Sequence, residues 1–144
     1  MDTAIADGSP DDLNRTLRRH RLVMMEKGRA IIEYMAGMDM CHSGGVVQGG
    51  FITGWIDAAM AHAVMSEAGM DVTPMSLEIK VSFFAPARPG IVVAEAWVEK
   101  GGKSTAFVEG VLKDTEGQVL AKATSTLRLI SRAKVEARSR AEMA

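Results

Sequence analysis

Residues 49–67, GGFITGWIDAAMAHAVMSE, constrain the fold more than any other part of the chain. At 3.6 residues per turn they span about five helical turns. The large side chains, Phe51, Ile52, Trp55, Ile56, Met60, Val64 and Met65, fall on all sides of such a helix, and alanines fill much of the rest. A helix that is apolar all round must be wrapped by other structure. A glycine-studded loop, 39–48, leads into the run, and Gly69 suits its end, as glycine often does just past a helix. Asp57, in the middle, fits none of this. Carboxylates are almost never buried without partners, and Asp is a weak residue for a helix interior.

The second half of the chain supplies a wrapper. SLEIKVSFF alternates, which places Leu77, Ile79, Val81 and Phe83 on one face and Ser76, Glu78, Lys80 and Ser82 on the other. ARPG (87–90) makes a turn. IVVAEAWVEKGG, STAFVEGVLKD and VLAKATSTLRLI read as three more strands, joined at Gly101-Gly102 and at DTEGQ. Ahead of the helix, RLVMMEKG and GRAIIEYMAGM read as strands broken at Lys27-Gly28. Short turns between sequential strands predict a meander. The fold class is α+β: an antiparallel sheet curled round one long central helix at about 49–67. Residues 1–9 read as disordered and 10–131 as a single domain, and the charged tail 132–144 reads as a frayed helix. Within the domain, Ser9 or Asp11 caps a short helix running to residue 20, with Pro10 in its first turn.

Composition excludes several functions. A net charge of −1 carries no nucleic-acid footprint, and the basic cluster RTLRRHR (15–21) reads as a solvated helix face. A single cysteine, Cys41, cannot form a disulfide within the chain, and MDTAIADGSPDD has no leader pattern; both predict a cytoplasmic protein. Thr53, Asp57 and His62 interrupt the best apolar stretch, so no membrane span is expected. Histidine, cysteine and acids do not cluster at ligand spacing, so no metal is expected.

At three and four residues from Asp57 lie Thr53, Gly54, Met60 and Ala61, none of them a cation. Thr53, Gly54, Ala58 and Ala61 are small and leave a recess beside the carboxylate, as a ligand site would. The whole segment HSGGVVQGGFITGWIDAAMAHAV resembles the signature of the hotdog-fold acyl-CoA thioesterases, in particular the phenylacetate-degradation (PaaI-like) and 4-hydroxybenzoyl-CoA thioesterase branch. That signature reads Asn-x-x-Gly-x-x-His-Gly-Gly, with an acid eight residues after the first glycine of the pair. Gly45, Gly49, Gly50 and Asp57 occupy those places here. The likeness continues through SLEIKVSFFAPARPG and GKSTAFVEGVLKDTEGQVLAKATSTL. It breaks at two positions: His42 stands at the Asn place and Gln48 at the His place, and both can still hydrogen-bond.

The resemblance implies hydrolysis of an acyl-CoA thioester to free acid and coenzyme A. It makes Asp57 the nucleophile or the general base. It makes the Gly49 N–H the oxyanion donor at the positive end of the helix, with His42 or Gln48 as the second donor. Gly50, Thr53 and Ala61 become candidate substrate contacts along the helix. Phe83, Phe84, Ala85, Pro86 and Arg88, together with Gly102, Lys103 and Ser104, are implied contacts to the pantetheine arm and nucleotide; Arg88, Lys103 and Arg128 are candidate phosphate partners. No cofactor is implied beyond the coenzyme A of the substrate.

Gly49 and Asp57 are eight residues apart, about 12 Å along one helix. A carbonyl carbon within about 3.5 Å of the attacking oxygen cannot also reach the start of the same helix. Two antiparallel helices across a two-fold axis remove the conflict, which predicts a homodimer, or a dimer of dimers. Two other functions use the same residues: a hotdog enoyl-CoA hydratase or dehydratase built on His42 and Asp57, and a non-catalytic acyl-CoA-binding protein. The His-Phe-Pro pattern of acyl-carrier-protein dehydratases is absent. Cys41 and His42 are adjacent and so point apart, which argues against a nucleophile pair; His62 reads as packing or interface and His20 as surface.

Overall fold

The chain is described by a computed structural model over residues 10–143, with side chains from Leu13. It runs α1 (Pro10–Thr16), β1 (Arg19–Glu26), β2 (Arg29–Ala36), a short ribbon of β3 (Cys41–His42) and β4 (Val46–Val47), α2 (Gly49–Ala68), β5 (Val72–Phe83), β6 (Gly90–Gly101), β7 (Thr105–Lys113), β8 (Val119–Ser131) and α3 (Arg132–Met143). The predicted disorder of residues 1–9, the Ser9 cap and the Asp11 side chain lie outside the described part. α1 is shorter than expected, because Arg18 takes a left-handed φ of 61° and Arg19 already belongs to β1. The basic cluster is therefore not one helix face. Arg18 pairs with Asp39, and Arg21 pairs with Glu33 of β2.

Six strands form one antiparallel sheet in the order β1-β2-β6-β7-β8-β5. The meander holds for β6, β7 and β8 but not for β5. The α2 crossover delivers β5 to the far edge, where it pairs with β8 rather than with β6. At the β1–β2 hairpin both turn residues, Lys27 and Gly28, have positive φ (52° and 78°), as tight turns matched to strand twist require.

The sheet curls round α2, as the apolar run demands. Ile52, Trp55, Ile56, Ala59, Met60, Ala63 and Val64 are buried against it. Small strand residues, Ala94 and Ala96 of β6 and Gly110 of β7, let the helix approach closely. A Cβ at Gly110 would lie 2.8 Å from Ile56 Cγ2 and 3.3 Å from Met60 Cε. The Trp55 indole donates to the Leu17 carbonyl at 2.8 Å, and its ring stacks on Tyr34 with centroids 5.9 Å apart.

The wrapping is incomplete, contrary to the expectation of a fully covered helix. Gly50, Thr53, Gly54, Asp57, Ala58, Ala61 and His62 form a partly exposed stripe along α2. Edges β1 and β5 flank it without pairing. The alternation read for β5 is corrected as well. A bulge places Leu77 between the pairs Ser76–Leu127 and Glu78–Thr126, so the side-chain parity changes there. Leu77 and Phe83 are exposed, and Ser76 turns to the helix side with Ile79 and Val81.

Candidate active site

The start of α2 is held by backbone bonds. Val47 N–H donates to Ala87 O and Gln48 N–H to Met40 O, both at 2.9 Å. Gly44 and Gly45, at φ 73° and 71°, carry the loop back, and Arg88 Nη1 donates to Gly44 O at 3.0 Å. Gln48 is the N-cap: its Oε1 accepts from Gly50 N–H at 2.8 Å. A Cβ at Gly50 would stand 2.7 Å from that Oε1, so glycine is what admits the cap. Gly49 is the first helical residue, and its N–H therefore has no intrahelical acceptor. Phe83 lies close enough that a Cβ at Gly49 would meet its ring at 3.1 Å.

These parts enclose a cavity of about 470 Å³ whose walls include His42, Gly49, Phe83, Phe84, Ala85 and Pro86. Six predicted residues are thus brought together. His42 lines this space, and its imidazole makes no hydrogen bond among the described residues. Gln48 caps the helix beside the cavity; its carbonyl oxygen is engaged and its amide nitrogen is the group left to donate.

Asp57 is not part of this wall. It sits two turns further along the open stripe, half-exposed, and accepts a bond from Ser76 Oγ at 2.6 Å on Oδ1. Sequence reasoning placed Ser76 on the outer face; the bulge at Leu77 is what turns it toward Asp57. Thr53 Oγ1 donates to Gly49 O at 2.9 Å, so its hydroxyl is spent within the helix. Ala61 lines a second cavity one turn beyond Asp57.

The remaining predicted contacts divide between the two ends of the sheet. Phe83 pairs with Ala121 at one end of β8, whereas Ser104 O accepts from Leu129 N–H near the other. Eight strand residues separate these points, roughly 27 Å. Gly102, Lys103 and Ser104 form the exposed β6–β7 turn. Arg128 lies on the face turned away from α2, in a cleft of about 650 Å³ shared with Lys134 and Arg138 of α3. One chain therefore does not gather the predicted coenzyme contacts into one place. Among the described residues, no three His, Cys, Asp or Glu side chains converge as metal ligands. Among the same residues, no helix is long and apolar enough to cross a membrane.

The family model of the thioesterase superfamily matches residues 44–121, from the Gly44 loop into β8. A protein of Saccharolobus solfataricus named as a proposed esterase is 32% identical over 120 residues, which cover 82% of this chain and 83% of that one. The PaaI protein of the E. coli phenylacetic acid degradation operon superposes with a TM-score of 0.77 at 20% identity, over 85% of this chain and 86% of its own. A Streptococcus mutans protein solved with acetyl CoA superposes with a TM-score of 0.70 at 20% identity, over 76% of this chain and 87% of its own. This chain belongs to the thioesterase superfamily and has its hotdog fold.

Proposed function

We propose that this protein hydrolyses an acyl-CoA thioester, and that it does so as a homodimer. The observation that carries the reading is Asp57 on the partly exposed stripe of α2, with Ser76 donating to Oδ1 and Oδ2 without a partner among the described residues. Water or the thioester can meet Asp57 there without opening the core. An oxygen, either that of water deprotonated by Asp57 or that of Asp57 itself, adds to the thioester carbonyl. The negative charge that develops on the carbonyl oxygen needs a donor aimed at it. The Gly49 N–H, at the positive end of a 20-residue helix, is that donor, with His42 Nε2–H or the Gln48 amide beside it. Collapse breaks the C–S bond; the thiolate takes a proton and leaves as coenzyme A. In the covalent route, water then cleaves the acyl–Asp57 anhydride to release the acid.

Gly49 and Asp57 lie too far apart on one helix to share a carbonyl, so the donor belongs to a second copy. Two features support an antiparallel two-fold pairing. The open stripe is built from small residues, and β5 is a 12-residue edge strand with Met75, Leu77 and Phe83 exposed. The same pairing brings the Phe83–Pro86 end of one chain to the Gly102–Ser104 end of the other, which joins the contacts that a single chain separates. The Streptococcus mutans neighbour solved with acetyl CoA supports a coenzyme A substrate.

The test is release of free thiol from a panel of aryl, short and medium acyl-CoAs by wild type and Asp57→Asn. Hydrolysis that falls by about 10²-fold or more in the variant agrees with the proposal. Hydration of crotonyl-CoA without thiol release, or tight binding without turnover, overturns it. A clean monomer in sedimentation that still hydrolyses thioesters overturns the shared site.

A further inference from the structure

A cavity of about 400 Å³ opens on the α2 stripe one turn past Asp57, between the two sheet edges. Ala58, Ala61 and Met65 of α2 form its floor, with Met25 of β1 and Pro74 of β5 on its sides. Pro74 is two residues from Ser76, the hydroxyl that holds Asp57. The cavity therefore adjoins the carboxylate along both elements that position it: Ala58 follows Asp57 on α2, and Pro74 lies near Ser76 on β5. On the proposed thioesterase reading, an acyl chain whose carbonyl is at Asp57 runs into this space.

Most of the lining is apolar and includes methionines that repack easily round a flexible chain. Its polar members are informative. Arg19 and Arg132, both half-buried, line the cavity from opposite sides, and His62 lies between them on α2. Among the described residues no aspartate or glutamate lines it. Among the described residues neither arginine has a carboxylate partner, although Arg18, Arg21 and Arg29 all pair with one. The Arg132 guanidinium makes a long contact of 3.8 Å to Met65 Sδ and no other hydrogen bond among the described residues. Two guanidinium groups with no carboxylate partner among the described residues, set at an apolar cavity, are complementary to an anion at the end of an apolar stem, and a guanidinium fork matches a carboxylate best.

We infer that this cavity takes the acyl part of the substrate, and that it selects a medium-length chain ending in a carboxylate, held by Arg19 and Arg132. The inference rests on the thioesterase reading for its placement, but its charge preference is testable by binding alone. The probes are suberoyl-CoA and octanoyl-CoA, of equal chain length with and without the terminal carboxyl. Calorimetric titration of Asp57→Asn, which binds without fast turnover, gives a dissociation constant for each. Suberoyl-CoA is expected to bind tighter by about tenfold or more. The double variant Arg19→Met, Arg132→Met in the Asp57→Asn background removes that difference. Should the double variant fail to fold, as judged by its thermal melt, the single Arg132→Gln variant is expected to lose part of it. Equal binding of the two probes, or tighter binding of octanoyl-CoA, overturns the inference. So does a preference that survives loss of both arginines. Thiol release decides separately: wild type that binds suberoyl-CoA preferentially yet releases no thiol from any acyl-CoA overturns the hydrolase reading and leaves the charge selectivity standing.

Discussion

The two faces of α2 use nearly the same residues for opposite ends. Ala59 and Ala63 are fully buried against the sheet, whereas Ala58 and Ala61 line the open stripe. On the inner face small residues permit close packing, as Gly110 shows, where no room exists for even a Cβ. On the outer face they keep room beside a carboxylate. The two faces differ in their polar groups. The inner face spends its single indole N–H on Leu17 O, whereas the outer one carries Asp57, held by Ser76 of β5, and His62, which lines the second cavity. One face holds the helix in place, and the other is kept open by that rigidity.

The sharpest way to break this comparison is to exchange the consequences of two substitutions two residues apart. Asp57→Asn is expected to lower thiol release by about 10²-fold or more while leaving the unfolding free energy from urea titration within about 0.5 kcal/mol of wild type. Trp55→Ala is expected to cost about 3–5 kcal/mol, read from urea unfolding at fixed protein concentration. The indole loses its stack on Tyr34, its bond to Leu17 and its buried volume together. If Asp57→Asn unfolds the chain as Trp55→Ala does, the carboxylate is structural and the two faces are not distinct in role.

The end of α2 was legible because Gly69 marks it, and Gly69 takes φ 106° there. The start was read from the glycine loop before it; the Gln48 cap was not, because glutamine is not among the usual capping residues. The sheet curled round a helix followed from the apolar run and the strands after it, and the hotdog class from the resemblance of the loop and helix at 42–64. The strand order was not legible, because alternation records which face a residue takes and not which strand lies beside it. β5 reads as the first strand of a meander and instead closes the opposite edge. The role of Ser76 was hidden for a related reason. A single inserted residue at Leu77 reverses side-chain parity, and nothing in SLEIKVSFF marks the bulge. The recess beside Asp57 was read from Thr53, Gly54, Ala58 and Ala61, but its extension into an open stripe from Gly50 to His62 was not, because alanine and glycine serve equally well in a helix contact and beside an empty recess.

A smaller effect sharpens the account of the inner face. The Tyr34 hydroxyl is buried with no hydrogen-bond partner among the described residues, and burial drives its pKa upward. An unpaired buried hydroxyl costs about 1–3 kcal/mol relative to a paired one. Tyr34→Phe keeps the ring on Trp55 and removes the orphan group, so the inner face is expected to gain roughly 1 kcal/mol in urea unfolding. A loss of stability instead would mean that the hydroxyl has a partner in solution, and the inner face would then be less dry than its packing indicates.

The smallest effect belongs to the outer face and depends on pH. Burial lowers the His62 pKa below the ordinary 6.5; the Ala58 carbonyl, 2.7 Å from Nδ1, opposes this in part, and the charge on Arg19 adds to the lowering. A depressed imidazole pKa means that the unfolded chain binds a proton more readily than the folded one. Stability therefore rises with pH across the window from the folded value up to about 6.5, and it is lost as the pH falls through that window. Urea midpoints taken between about pH 8 and pH 5 are expected to fall for wild type, and to fall less for His62→Asn. The carboxylates titrate mostly below that window, so the difference between the two proteins isolates the imidazole. Identical slopes would place His62 in water, and the outer face would then be more open near the second cavity than the half-buried arginines on either side of it imply.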